Sequence, residues 1–311
     1  MQPQRPAAAS FLPMFKNLLI ATDRQDGLQR FGKCLEDLHS SGIERIAFVH
    51  SVAWQDDSIG IPEDITPEIQ AQQAELQELL SDIPAGLDVK ALVQVSKPVD
   101  LILKGIQQYG SDLLITGMDT HNLLAEKLFG STTIGLLPRL KIPVMVMRPQ
   151  LIATFTLEEL RLRSRHLFRC ILVPFDFEEP RQQLLKHLSH LLPNTSQCQT
   201  VTLLYVIDPS ARRNQGSDVE VLKRKAEADL AQVIQPLLKQ VHPVQLRLLV
   251  RVGSPLKEIL ATAADEDMTA IATASPNVGS FWEWSVRSLT GDILRRSWHP
   301  VLFFPRGALA K

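Results

Sequence analysis

The chain has 311 residues, 45% of them hydrophobic and 22% charged, with a formal net charge of -1. Such a composition belongs to a soluble globular protein of about two domains, and it lacks the basic excess of a nucleic-acid or anionic-membrane binder. Three widely spaced cysteines (Cys34, Cys170 and Cys198) fit a reducing compartment, and no apolar run approaches the roughly 18 residues of a membrane span. A cytoplasmic location follows as an expectation.

In chain order, the first fifteen residues hold one Arg and are broken by Pro3, Pro6 and Pro13, which reads as a loose tail and not a signal peptide. Short apolar runs then alternate with longer helical patterns. The runs are Leu18–Ala21, Arg45–His50, Val89–Val95, Leu113–Thr116 and Val144–Met147. Their lack of alternation predicts strands buried on both faces. Ile69, Leu76, Leu79, Leu80 and Ile83 recur at helical spacing, and another helix should start at Pro98. Residues 149–168 follow as a linker, in which Thr156–Arg165 predicts a short surface helix. Its Arg161, Arg163, Arg165 and Arg169 follow Glu158 and Glu159, a pattern suited to i,i+4 pairs on a solvated face.

The second half repeats the series. Ile171–Val173, Thr200–Ile207, Leu246–Val252, Ala270–Thr273 and Val301–Phe304 are its apolar runs, with a helical stripe at Leu222, Ala226, Leu230, Val233 and Leu237. Single residues recur too. Pro98 returns as Pro255, Thr116 as Thr273, Glu126 as Glu283, Ser131 as Ser288, and Arg139 as Arg296, all without a gap. A period near half the chain means two copies of one domain. The fold expected is therefore α/β: two tandem doubly wound domains, residues 1–150 and 151–311. Each should carry a five-stranded, mainly parallel sheet flanked by about four helices.

In open α/β sheets ligands bind beyond the carboxyl ends of the strands, where strand order reverses. In the first copy Asp23 ends the first strand, Gly117 follows the fourth, and Gly130-Ser131-Thr132-Thr133 opens the last helix. A carboxylate suits a ribose hydroxyl, and glycine with hydroxyls at a helix N-terminus suits an anion. The same residues also serve as ordinary turn and N-cap chemistry. His187 and His190 lie three apart but have no evident third metal ligand, so no metal is expected. Neither a nucleophile elbow nor a Walker A loop occurs.

Taken together, Asn17–Asp23 and Cys170–Asp176, Ser96-Lys97-Pro98 and Gly253-Ser254-Pro255, and Leu113–Gly117 followed by Gly130-Ser131 and Ile142-Pro143-Val144-Met145-Val146 give a resemblance. The chain resembles a tandem universal stress protein over nearly all of both copies. ATP-binding members of that family carry Gly, two residues, Gly, nine residues, Gly, then Ser or Thr. Here the first copy reads Gly117-Met118-Asp119-Thr120, nine residues, then Gly130-Ser131, with Thr120 replacing one glycine. The resemblance implies that Ala21, Thr22 and Asp23 meet the ribose end of ATP or another adenine nucleotide. It places the end of the second strand near Ser51 at the adenine, and Gly117, Thr120, Gly130, Ser131 and Thr132 around the phosphates. Thr120 resists positive φ and Asp119 adds negative charge, so the first site is degraded.

In the second copy Gly117 becomes Ala274, Thr120 becomes Asn277 and Gly130 becomes Arg287, and nucleotide is not expected there. Its Phe281-Trp282-Glu283-Trp284 either fills the vacated space or grips a protein partner. The resemblance further implies an intramolecular pseudo-dimer through the last strands, and a homodimer of whole chains is compatible with it. Function is then expected to be non-catalytic stress response or regulation, with nucleotide in the N-terminal domain only. A nucleotide-free interaction scaffold and a slow ATP hydrolase are the alternatives.

Overall fold

A computed structural model of the chain describes residues 13–23, 26–52, 66–78, 80, 82–117, 135–193, 195–211, 216, 218–274 and 288–309. The first copy runs β1 (Asn17–Ala21), a 3-10 turn (Leu28–Cys34), α1 (Leu35–Ser40), β2 (Arg45–Val52), α2 (Thr66–Glu78), β3 (Asp88–Val95), α3 (Pro98–Tyr109), β4 (Leu113–Gly117) and β5 (Val144–Met147). The linker supplies α4 (Pro149–Thr154) and α5 (Leu157–Arg165). The second copy runs β6 (Cys170–Pro174), α6 (Glu179–Leu191), β7 (Thr200–Ile207), α7 (Val219–Leu238), β8 (Gln245–Val252), α8 (Pro255–Asp265), β9 (Ala270–Ala274), α9 (Leu289–Arg296), β10 (Val301–Phe304) and α10 (Arg306–Leu309). Among the described residues, no helix is long and apolar enough to cross a membrane.

All ten strands form one sheet in the order β3-β2-β1-β4-β5-β10-β9-β6-β7-β8. Every pairing is parallel except the seam, where Val301, Leu302 and Phe303 of β10 run antiparallel to Val146, Met145 and Val144 of β5. In each copy strand order reverses beside the first strand, since β1 lies between β2 and β4, and β6 between β7 and β9.

The apolar runs are strands, with one correction. β1 and β4 are almost fully buried, whereas β3 and β8 are mostly half-buried or exposed, Val93 of β3 excepted. They are the sheet's two edges, so each has a neighbour on one side only, and Arg247 and Arg251 of β8 reach outward to Glu266. Ile83, expected on the helical stripe, lies beyond α2 and is 45% exposed. Pro98 begins α3 as expected, and Gly110 ends it in the left-handed conformation that a glycine cap adopts freely.

The N-terminal tail is also corrected: Met14 and Phe15 are buried. Phe15 packs its ring 5.2 Å from that of Phe168, just ahead of β6. The linker helix α5 begins with a capping box between Thr156 and Glu159. Its arginines do not form the expected pairs along the helix. Arg165 instead reaches the buried Asp37 of α1 at 2.6 Å, and Arg161 stands 3.9 Å from the same carboxylate. With Leu160 and Ser164 buried beneath it, α5 is a packed element and not a purely surface one.

Candidate functional site

The carboxyl ends of β1, β2 and β4 bring Asp23, Ser51 and Gly117 to one end of the first half-sheet. The chain leaves β1 through Thr22, whose backbone N–H still donates to Val49 O of β2 at 3.1 Å. Asp23 is exposed, and its Oδ1 accepts the N–H of Asp26 at 2.8 Å, closing an Asx-type turn. Ala21 and Thr22 are buried beneath it.

Asp26 is the group that the sequence did not single out. It is 8% exposed, its Oδ1 accepting from Thr22 Oγ1 at 2.7 Å and from the Leu28 N–H at 2.9 Å. Burial pushes its carboxyl up to about 6; the Thr22 hydroxyl pulls back and the neighbouring Asp23 charge adds to the rise. A Cβ on Gly117 would stand 3.0 Å from Asp26 Cβ and 3.3 Å from Pro149 Cγ. The bare Cα of Gly117 thus accommodates the chain's own β1 loop and the start of the linker.

On the other side, Ser51 donates a short hydrogen bond to Ser96 O, at the end of β3. The Ser96 hydroxyl is itself buried without a hydrogen-bond partner. A buried hydroxyl lacking a partner costs about 1–3 kcal/mol, a cost shared by Asn17 Oδ1, Ser111 Oγ and Thr202 Oγ1. Nearby His50 has both ring nitrogens engaged, Nδ1 with Thr22 O and Nε2 with Gln72 Oε1, each at 2.9 Å. It is a structural link between β1, β2 and α2. Thr120, Gly130, Ser131 and Thr132 lie outside the described residues, as does Phe281–Trp284.

The second copy treats the matching place differently. Asp176 faces the guanidinium of Arg181 at 3.6 Å, and Arg181 is itself buried. Ala274 replaces Gly117, and Thr290 ties the strand end to α9 by bonding Thr273 Oγ1 at 3.1 Å and Ala274 O at 3.3 Å. Ser288, the match of Ser131, caps α9 by accepting the Gly291 N–H at 3.0 Å. The cleft left between Asp176, Arg181 and the apolar Val206, Ile259 and Leu289 holds about 130 Å³. That is below the roughly 300 Å³ at which ligand pockets begin.

The His187 ring packs edge-on against Phe304 at 5.5 Å. Burial pushes the Cys34 and Cys198 thiols up to about 11 and about 12, which keeps both protonated and unreactive at neutral pH.

Two doubly wound copies, joined edge to edge with a polar cluster at the strand ends of the first, define a tandem α/β protein of the doubly wound class. The universal stress protein family model matches residues 14–148 and again 167–305, and the chain belongs to that family. It is 26% identical over 158 residues to the universal stress protein MJ0577 of Methanocaldococcus jannaschii, covering 45% of this chain and 96% of that one. A universal stress protein from Archaeoglobus fulgidus superposes over 96% of this chain and 98% of its own, with a TM-score of 0.64 at 19% identity. One from Pseudomonas aeruginosa superposes over 95% of each chain, with a TM-score of 0.53 at 15% identity. These two likenesses establish the fold.

Proposed function

We propose that this chain is a non-catalytic stress-response protein that binds an adenine nucleotide, ATP first among them, in its N-terminal copy alone. The domains of this reading are residues 1–150, which bind, and 151–311, which support. Asp23 would hold the ribose beside Ala21 and Thr22, and Ser51 would flank the base. Gly117, Thr120, Gly130, Ser131 and Thr132 would surround the phosphates. The observation that carries the reading is the convergence of Asp23, Ser51 and Gly117 at the carboxyl ends of β1, β2 and β4, where strand order reverses. In the second copy, among the described residues, Ala274, the Asp176–Arg181 contact and a cleft of about 130 Å³ support restriction to the first. His50, the histidine at the end of β2, is already engaged at both nitrogens, which supports binding without turnover.

A second reading, a nucleotide-free interaction scaffold in the cytoplasm, is favoured by Gly117, whose missing Cβ is explained by Asp26 and Pro149 without any ligand. One experiment separates the two. The purified chain is denatured and the released small molecules are chromatographed, beside a Gly130→Arg variant that copies Arg287 of the second half. Adenine nucleotide near one per chain, lost in the variant, is the expected result. No nucleotide from either, and none taken up from millimolar ATP, leaves the scaffold. ATP turnover above the variant's would instead make the protein an enzyme.

A further inference from the structure

The linker and the seam between the copies enclose a cavity of about 330 Å³ that no single copy could form. Five stretches of chain wall it: the 3-10 turn after β1, the end of β5, the linker helices α4 and α5 with the residues that follow them, the end of α8 with the turn after it, and the approach to β10. Its floor is apolar and buried, made by Phe31, Met147, Ile152, Leu160, Leu167 and Met268. At its mouth stand Leu162 and Trp298, 58% and 63% exposed, two of the six large apolar side chains left exposed among the described residues. Apolar surface concentrated at the lip of a concave site marks a place that something covers.

The polar lining has one predominant sign. Arg148 lies with its guanidinium 4.9 Å from the Trp298 ring centre, and its Nε donates to Ser297 O at 2.6 Å. Arg163 lies 4.2 Å over the ring of Phe155. Among the described residues, no carboxylate comes within ion-pair distance of either guanidinium, although Asp267 also lines the cavity. Aromatic faces hold both cations in place, which lowers the entropy lost when an anion arrives. Two histidines complete the lining. Burial, then Arg169 and Arg165, lowers His166 below its ordinary value; burial, then Arg163, does the same to His299. Lowered in this way, both histidines are mainly neutral near pH 7, so the cations of the lining are Arg148 and Arg163.

We propose that this cavity binds a small organic carboxylate with an apolar body, its charged end at Arg148 and Arg163 and its body on the floor beneath Trp298. An apolar floor alone would accept neutral molecules equally. The two arginines, held on aromatic faces, select the anion, and a carboxylate matches the guanidinium fork. Asp23, Ser51 and Gly117 are not part of its lining, so this site is separate from the nucleotide site proposed above.

Calorimetric titration of the full chain with decanoate, and separately with the neutral 1-decanol, tests the assignment. Decanoate is expected to bind one per chain and at least about tenfold more tightly than decanol, the scale of one charge-assisted contact. Arg163→Gln, at an exposed position, should weaken decanoate about tenfold and leave decanol unchanged. Ala264→Phe, also exposed and on the cavity wall, should abolish both by filling the space; circular dichroism and thermal melting confirm that each variant is folded. No decanoate binding, equal affinity for the two probes, or unaltered decanoate binding by the folded Ala264→Phe chain would overturn the proposal.

Discussion

Asp26 is an acid kept in a place where its charge is unwelcome. Its folded-state value, about 6, lies above the ordinary 3.8, because burial outweighs the hydrogen bonds from Thr22 and Leu28. The native state therefore holds the proton more tightly than the unfolded chain does. Stability from this group is fully present below the unfolded value and is lost as pH rises through about 6. Between about pH 4.5 and about pH 8 the loss is on the order of 2 kcal/mol, at about 1.4 kcal/mol for each tenfold difference in proton affinity between the two states. Asp26→Asn keeps the acceptor for Thr22 and Leu28 but cannot ionise. Urea unfolding of the variant and the parent should diverge by about that amount across the interval, the variant gaining toward alkaline pH. A constant difference at both pH values would place the ionisation of Asp26 elsewhere.

Among the elements, the two copies are joined by more than the β5–β10 seam. Gln197, ahead of β7, is buried with its Oε1 accepting the Phe15 N–H at 2.9 Å and its Nε2 donating to Phe15 O at 2.8 Å. One amide thus satisfies both backbone groups of a residue 182 positions away. Gln197→Leu would leave that N–H and C=O buried without partners, at about 1–3 kcal/mol each less what water recovers. A loss of about 2–4 kcal/mol in denaturant unfolding is expected, and one below about 0.5 kcal/mol would mean that water replaces the amide. Nothing in the sequence marks Gln197, since a glutamine before a strand reads as surface. The strands were legible because central parallel strands are apolar along their whole length, as β1, β4, β6 and β9 are. The edge strands β3 and β8 were found but misjudged in burial, because position in the sheet is not written locally. The placement of Asp23, Ser51 and Gly117 at strand ends, where the candidate site is sought, is legible in the sequence. Asp26 and Ser96 are not, since burial gives them their character, and a carboxylate a few residues past a strand looks like any turn. Arg163 reads as one more charge of the linker and Arg148 is unmarked, until the fold sets them against Phe155 and Trp298.

At the scale of the molecule, each apolar core draws on both copies. The first joins Leu18, Ile20 and Phe31 with Ile171, Val173 and Leu184. The second joins Leu19, Leu114 and Val146 with Leu172, Ile271 and Phe303. The linker contributes Ile152 and Leu160 to the first core, and Arg30 ties that linker to the first copy through hydrogen bonds to Ile152 O, Ala153 O and Phe155 O. If either copy unfolded alone, it would expose its partner's share of both cores and leave β5 or β10 as a bare apolar edge. That cost opposes independent melting, although a chain of 311 residues would ordinarily divide into separately melting domains. A single calorimetric transition is therefore expected. Its van't Hoff enthalpy should approach the calorimetric value for the whole chain, on the order of 200 kcal/mol at about 0.7 kcal/mol per residue near 60 °C. Two resolved transitions, or a van't Hoff enthalpy near half the calorimetric one, would show that the shared cores and the seam are too weak to couple the copies. Each half would then be a domain in the thermodynamic sense as well as by repeat.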